Sequence, residues 1–200
     1  MSDKISREEL NKLISDSAFN RSSYKVDIRL SGLFRGLSMY THGEDDSFNL
    51  EDNPSRFVEA IPPFQRENDK WSEDMQVKFM ENVIKGLTTT LMLYEVVPNN
   101  GMPLMCSCKI LDGLQRLTAL YRFTQGAFKA FGYTHDELFM NKTYRLALKT
   151  VKIQVYTFSS EIEAVRFYIE MNENITHSVQ DIARAKTYLA KLEAGELARK

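Results

Sequence analysis

Asp112-Gly113-Leu114-Gln115-Arg116-Leu117-Thr118-Ala119-Leu120 joins two kinds of periodicity, and its reading decides the fold. Before it, Met105 to Leu111 has the composition of a strand. Asp112 and Gly113 form a tight turn, and Leu114 to Gln125 follows a helical repeat. At 100° per residue, Leu114, Leu117, Leu120 and Tyr121 share one apolar arc. Gln115, Thr118 and Arg122 point elsewhere, and Arg116 borders the arc. A helix start with unpaired amides beside an arginine can seat an anion such as phosphate. The same spacing also allows a plainer reading, in which Arg116 pairs with a carboxylate and Asp112 caps the helix.

Working outward, Leu91 to Val97 precedes Pro98-Asn99-Asn100-Gly101-Met102-Pro103, which predicts a hairpin or broad turn leading into the Met105 strand. Upstream, Trp71-Ser72 introduces a helix carrying Met75, Phe79, Val83, Ile84 and Leu87, with Gly86 near its end. Pro62 and Pro63 stop a strand-like run from Arg56 to Ile61, and the acidic stretch from His42 to Asn53 reads as an exposed loop. Tyr24 to Leu30 alternates like a strand, and Ser6 to Glu9 is a capping box for a short first helix. Downstream, Thr134 to Glu137 is a second capping box, and Val151, Ile153, Val155 and Thr157 alternate along a strand. Ser160 to Glu163 caps a helix reaching about Met171, and a last helix starts at Ser178 with Ile182, Ala185 and Leu189 on one side. The expected class is α+β, a small mixed sheet covered by helices. Residues 1–55 are expected to pack on a core domain of residues 56–190, with 191–200 as a charged tail.

Composition narrows the function classes. The 200 residues are 43% hydrophobic, enough for one good core. With 26 basic and 27 acidic residues the net charge is −1, so overall charge does not favour nucleic acid. Cys106 and Cys108 lie two apart in a strand, on one face but poorly placed for a disulfide, and read as reduced packing residues. His42, His135 and His177 lack zinc-site spacing, so no protein-held metal is expected. No apolar signal-peptide core opens the chain and no run approaches membrane-spanning length, so the expectation is a cytoplasmic protein with no membrane partner.

Asp112-Gly113-Leu114-Gln115-Arg116-Leu117-Thr118 closely resembles the Asp-Gly-Gln-Gln-Arg-Leu-Thr signature of an N-terminal domain family. That family occurs in GmrSD-type modification-dependent restriction proteins and SspE-like phage-defence proteins. Ile61-Pro62-Pro63-Phe64-Gln65-Arg66 and Trp71-Ser72 resemble its Ile-Pro-x-Phe-Gln-Arg and Trp-Ser elements. Phe167 to Asn172 and Ser178 to Ala183 resemble its helix, Asn-containing turn and following helix, so the likeness covers about residues 56 to 190.

The resemblance implies a fold similar to the ParB and sulfiredoxin group, in which an arginine-bearing turn holds nucleotide phosphates. Carried over residue by residue, Arg116 binds a phosphate with help from the amides of Gly113 to Gln115, and Arg66 is a second clamp. Asp112 orients Mg²⁺ or a water, Gln115 positions the attacking water, Gln65 braces the pocket and Asn172 is a polar wall. Leu114 stands where the family has its first glutamine, and Asn172-Glu173-Asn174-Ile175 replaces its Asn-Thr-Gly-Gly turn. Nothing after Ala190 resembles the nuclease domain of the larger restriction proteins, so cleavage of DNA by that route is not expected.

Three functions follow as expectations. One is Mg²⁺-dependent hydrolysis of a nucleoside triphosphate in a phage-defence, restriction or counter-defence setting. Another is ParB-like DNA binding or nicking, with Lys142, Arg145, Lys149 and Lys152 as the basic patch. The third is a non-catalytic module that keeps the fold and binds, or inhibits, a partner protein of a defence system.

Overall fold

A computed structural model describes residues 5–17, 23–41, 54–65, 67, 70–97, 108–140, 146–173 and 178–195. Helix α1 (Arg7–Asp16) starts at the Ser6 capping box, and strand β1 (Ser23–Arg29) follows. Helix α2 (Leu33–Thr41), a 3₁₀ segment (Pro54–Ala60) and helix α3 (Glu73–Lys85) lead to strand β2 (Thr89–Val96). Strand β3 (Lys109–Asp112) delivers the turn into helix α4 (Leu114–Thr124), and the short helix α5 (His135–Phe139) begins at the Thr134 capping box. Strand β4 (Thr150–Phe158), helix α6 (Glu161–Asn172) and helix α7 (Val179–Glu193) complete the described chain.

The strands form one mixed sheet in the order β1-β4-β2-β3. β4 is antiparallel to β1 and parallel to β2, and β2 is antiparallel to β3. Side chains alternate across the sheet, so its two faces carry separate cores. Leu91, Leu93, Ile110, Val151, Ile153 and Val155 face helices α2 to α5. Tyr94, Leu111 and Phe158 face α6 and α7. The class is α+β, with helices on both faces of a small mixed sheet.

Two expectations change. The run from Arg56 to Ile61 is not a strand, because Pro54–Ala60 is a 3₁₀ helix that places Phe57 and Ala60, three apart, in the core. Helix α2, unrecognised in the sequence, buries Leu33, Phe34 and Leu37. β1 belongs to the sheet itself, since it pairs with β4 from Thr150 to Tyr156. In α1, by contrast, Leu10, Leu13 and Ile14 remain 46%, 62% and 60% exposed and do not pack on the core. The acidic loop of residues 42–53, the turn of residues 98–103 and the first residues of the strand expected from 105 to 111 lie outside the described residues, as do Cys106, His42 and His177. Cys108 is buried. Among the described residues no helix is long and apolar enough to cross a membrane.

Candidate phosphate-binding turn

The end of β3 is irregular in a way that shapes the turn. Leu93 opposes Ile110 and Met92 opposes Asp112, so Leu111 has no opposite number. A bulge of this kind bends the strand and re-aims the following residue. Leu111 consequently enters the α6–α7 core, while Asp112 leads into the turn. Gly113 then adopts φ +97°, a conformation L side chains rarely take, and a Cβ there would lie 2.8 Å from Leu91 Cδ2. Glycine is required on both counts. It is also the N-cap of α4 and supplies no side chain to the first-turn amides.

Arg116, one turn into α4, donates through Nη2 to Asp112 Oδ2. The plainer reading of the sequence is therefore half right. Arg116 does pair with a carboxylate, but Gly113 occupies the cap position, not Asp112. Both members of the pair retain some exposure, which leaves the guanidinium reachable. Leu114 and Leu117 are buried, as the apolar arc requires.

Gln115 was expected to point away from the core and, by resemblance, to position a water. It is instead buried, and both ends of its amide are engaged by backbone. Oε1 accepts from Trp71 N–H at 3.1 Å and Nε2 donates to the Glu67 carbonyl at 3.2 Å. Its role in this structure is to hold the segment from Glu67 to Trp71 against α4. Trp71 packs its ring 5.4 Å from Phe79, as a packing anchor does. Gln76 and Arg122 extend the brace: Gln76 donates to the Trp71 carbonyl, and Arg122 donates to Gln76 and Glu73.

Gln65 performs the matching task on the other side. It is buried, and its Nε2 donates to the carbonyls of Ile110 at 3.3 Å and Leu111 at 3.0 Å. Its Oε1 accepts from Tyr168 O–H at 2.9 Å. One glutamine thus ties the end of β3 to α6. Asn172 closes the chain of contacts, because its Nδ2 donates to the Tyr168 carbonyl one turn earlier in α6. Glu173, adjacent to it, pairs with Lys186 of α7.

The structure therefore gathers Gln65, Asp112, Gly113, Gln115 and Arg116 around one turn and connects Asn172 to them through Tyr168. Arg66 lies outside the described residues, as do Lys142 and Arg145 of the basic patch. Among the described residues no group of three or more His, Cys, Asp or Glu side chains is placed to hold a metal ion. A further ion pair with no sequence signal lies on the segment of Gln65 and Glu67. Arg184 of α7 donates through Nη2 to the Glu67 carboxylate and through Nη1 to the Gln65 carbonyl at 3.4 Å. Comparison with models of protein families, with curated proteins and with solved structures finds no match to this chain.

Proposed function

We propose that this chain is a nucleotide-binding domain that hydrolyses nucleoside triphosphates with Mg²⁺ in a phage-defence, restriction or counter-defence setting. The observation that carries the reading is the partly exposed Arg116 at the start of α4, on a turn that needs glycine at Gly113. A guanidinium offers a planar fork to phosphate oxygens, and first-turn amides add neutral donors at the positive end of the helix. Asp112 is the carboxylate for Mg²⁺. The fit is adequate in kind, because Mg²⁺ commonly takes one or two carboxylates together with substrate phosphates and waters. Bound there, the ion would neutralise phosphate charge, while Asp112 and Arg116 hold the phosphoryl group in place. The defence setting rests on the likeness of residues 61–72 and 112–118 to the restriction and phage-defence domains. The ParB-like and sulfiredoxin-like character of the core rests on the same likeness.

One observation favours a second reading, binding without hydrolysis. Gln115 already gives both amide ends to backbone, and Leu114 is apolar and buried, so neither is placed to orient an attacking water. The chain would then act as a sensor or inhibitor toward a partner protein. A thermal-shift screen of nucleoside tri- and diphosphates, with and without Mg²⁺, tests both on the native chain and Arg116→Ala. Hydrolysis predicts stabilisation and released phosphate, both lost in Arg116→Ala. Stabilisation without released phosphate selects the second reading, and no shift with any nucleotide overturns nucleotide binding altogether.

A further inference from the structure

A second guanidinium lies on the segment that braces the turn. Arg184 of α7 touches residues that also contact β3 and α4: its Nη1 bonds the Gln65 carbonyl, and Gln115 bonds the Glu67 carbonyl. The Gln65 side chain in turn holds the carbonyls immediately before Asp112. Two arginine–carboxylate pairs, Arg116–Asp112 and Arg184–Glu67, thus flank one short stretch of chain.

We infer that Arg184 is a second phosphate-binding residue, which engages a ligand with two or more phosphoryl groups by exchanging the Glu67 carboxylate for a phosphate oxygen. This rests on the nucleotide reading above and names the substrate class as a nucleoside di- or triphosphate. The two pairs differ in how readily they open. The side chains of Arg184 and Glu67 are 43% and 58% exposed, against 27% and 21% for Arg116 and Asp112. An exposed ion pair contributes little, so an arriving anion displaces Glu67 at small cost. The bond from Nη1 to the Gln65 carbonyl meanwhile keeps the planar fork in position.

Charge balance points the same way. With Asp112 given to Mg²⁺, the ion, Arg116 and one helix start offset only part of the charge of a polyphosphate. A second guanidinium, released from Glu67, supplies the difference. A monophosphate would gain little from it, because a single phosphoryl group need meet only one of the two arginines. Glu67 is then a competitor of the ligand, and removing its charge should tighten binding. A purely structural ion pair would not behave in that way.

Titration calorimetry with ATP, ADP and AMP in the presence of Mg²⁺, repeated with the guanine nucleotides, tests the inference. Native protein should bind the di- and triphosphates at least about tenfold more tightly than the monophosphate, the scale of one charge-assisted contact. Arg184→Ala should lose about that factor for the triphosphate, Arg184→Lys should recover only part, and Glu67→Gln should bind it severalfold more tightly than native. Because Glu67 is exposed, Glu67→Gln tests the sign of the effect without endangering the fold. Equal affinity for mono- and triphosphate, unchanged binding in Arg184→Ala, or unchanged or weaker binding in Glu67→Gln overturns the role of Arg184. If Arg116→Ala still loses binding in those cases, the nucleotide reading stands alone. No binding of any nucleotide by the native chain overturns both.

Discussion

Replacing Gly113 with alanine puts two separable strains on the turn. The backbone strain comes from φ +97°, which disfavours an L residue by about 1–2 kcal/mol. The steric strain comes from the added Cβ, 2.8 Å from Leu91 Cδ2. Carbon atoms prefer separations of about 3.5–4.0 Å, and overpacking of this kind costs about 1–3 kcal/mol. Together they predict a loss of about 2–5 kcal/mol, a large part of the stability of an ordinary domain. Urea unfolding followed by circular dichroism measures the total. Leu91→Val separates the parts, because valine has no δ carbon to meet the new methyl group. In that background Gly113→Ala should cost only the backbone share. A penalty below about 0.5 kcal/mol in the native background, within the range of neutral surface changes, would refute the reasoning for the turn. An identical penalty in both backgrounds would refute the clash while leaving the backbone strain.

Gln115→Ala strips two part-buried backbone groups, Trp71 N–H and the Glu67 carbonyl, of their partner and should cost about 1–3 kcal/mol in the same unfolding assay. Amide exchange at Trp71 should speed up more than exchange within β4. At alkaline pH the tyrosines set the response. Burial, together with the nearby Glu161 carboxylate, pushes the Tyr188 hydroxyl up to about 12, and burial first, then Cys108, Glu95 and Tyr40, pushes Tyr24 to about 12. Because the folded values lie above the ordinary 10, the folded state holds these protons longer. Stability is thus unaffected below about pH 10 and falls as pH rises from 10 through 12. Tyr188→Phe should flatten that fall, and an unchanged slope in an alkaline melt series would count against the assignment.

Much of the local structure could be read from residues alone. The capping boxes at Ser6 and Thr134 are present as side-chain bonds, because the pattern describes a contact spanning three residues. The alternation from Val151 to Thr157 and the strand-to-helix switch at Asp112 are equally local. Helix α2 carries no cap or breaker-free run to announce it, and its Gly36 serves close packing: a Cβ on it would lie 2.7 Å from Ile28 Cδ1. In the candidate site, Gln65 and Gln115 stand out by residue type, but their bonding partners are not legible. A glutamine that orients a water and one that braces a backbone look alike until the partner segment is placed. Arg184 and Glu67, 117 residues apart, meet through the packing of α7, which no local pattern encodes.

The strand order also has a kinetic side. The two central strands are β2 and β4, and β4 is the last strand to be synthesised. Thr89 finds its partner at Val151, and Ser23 finds its partner at Tyr156. A nascent chain emerging from a ribosome can therefore form the β2–β3 hairpin and its helices early, yet exposes a β2 edge, and an unpaired β1, until residue 158 is free. Such distant pairings slow folding and lengthen the interval in which sheet edges are open to other chains. The Gln65 and Tyr168 contact, which joins β3 to α6, waits on the same event. The Asp112 turn is thus made early in the chain but buttressed late, only when the sheet has closed around its final strand.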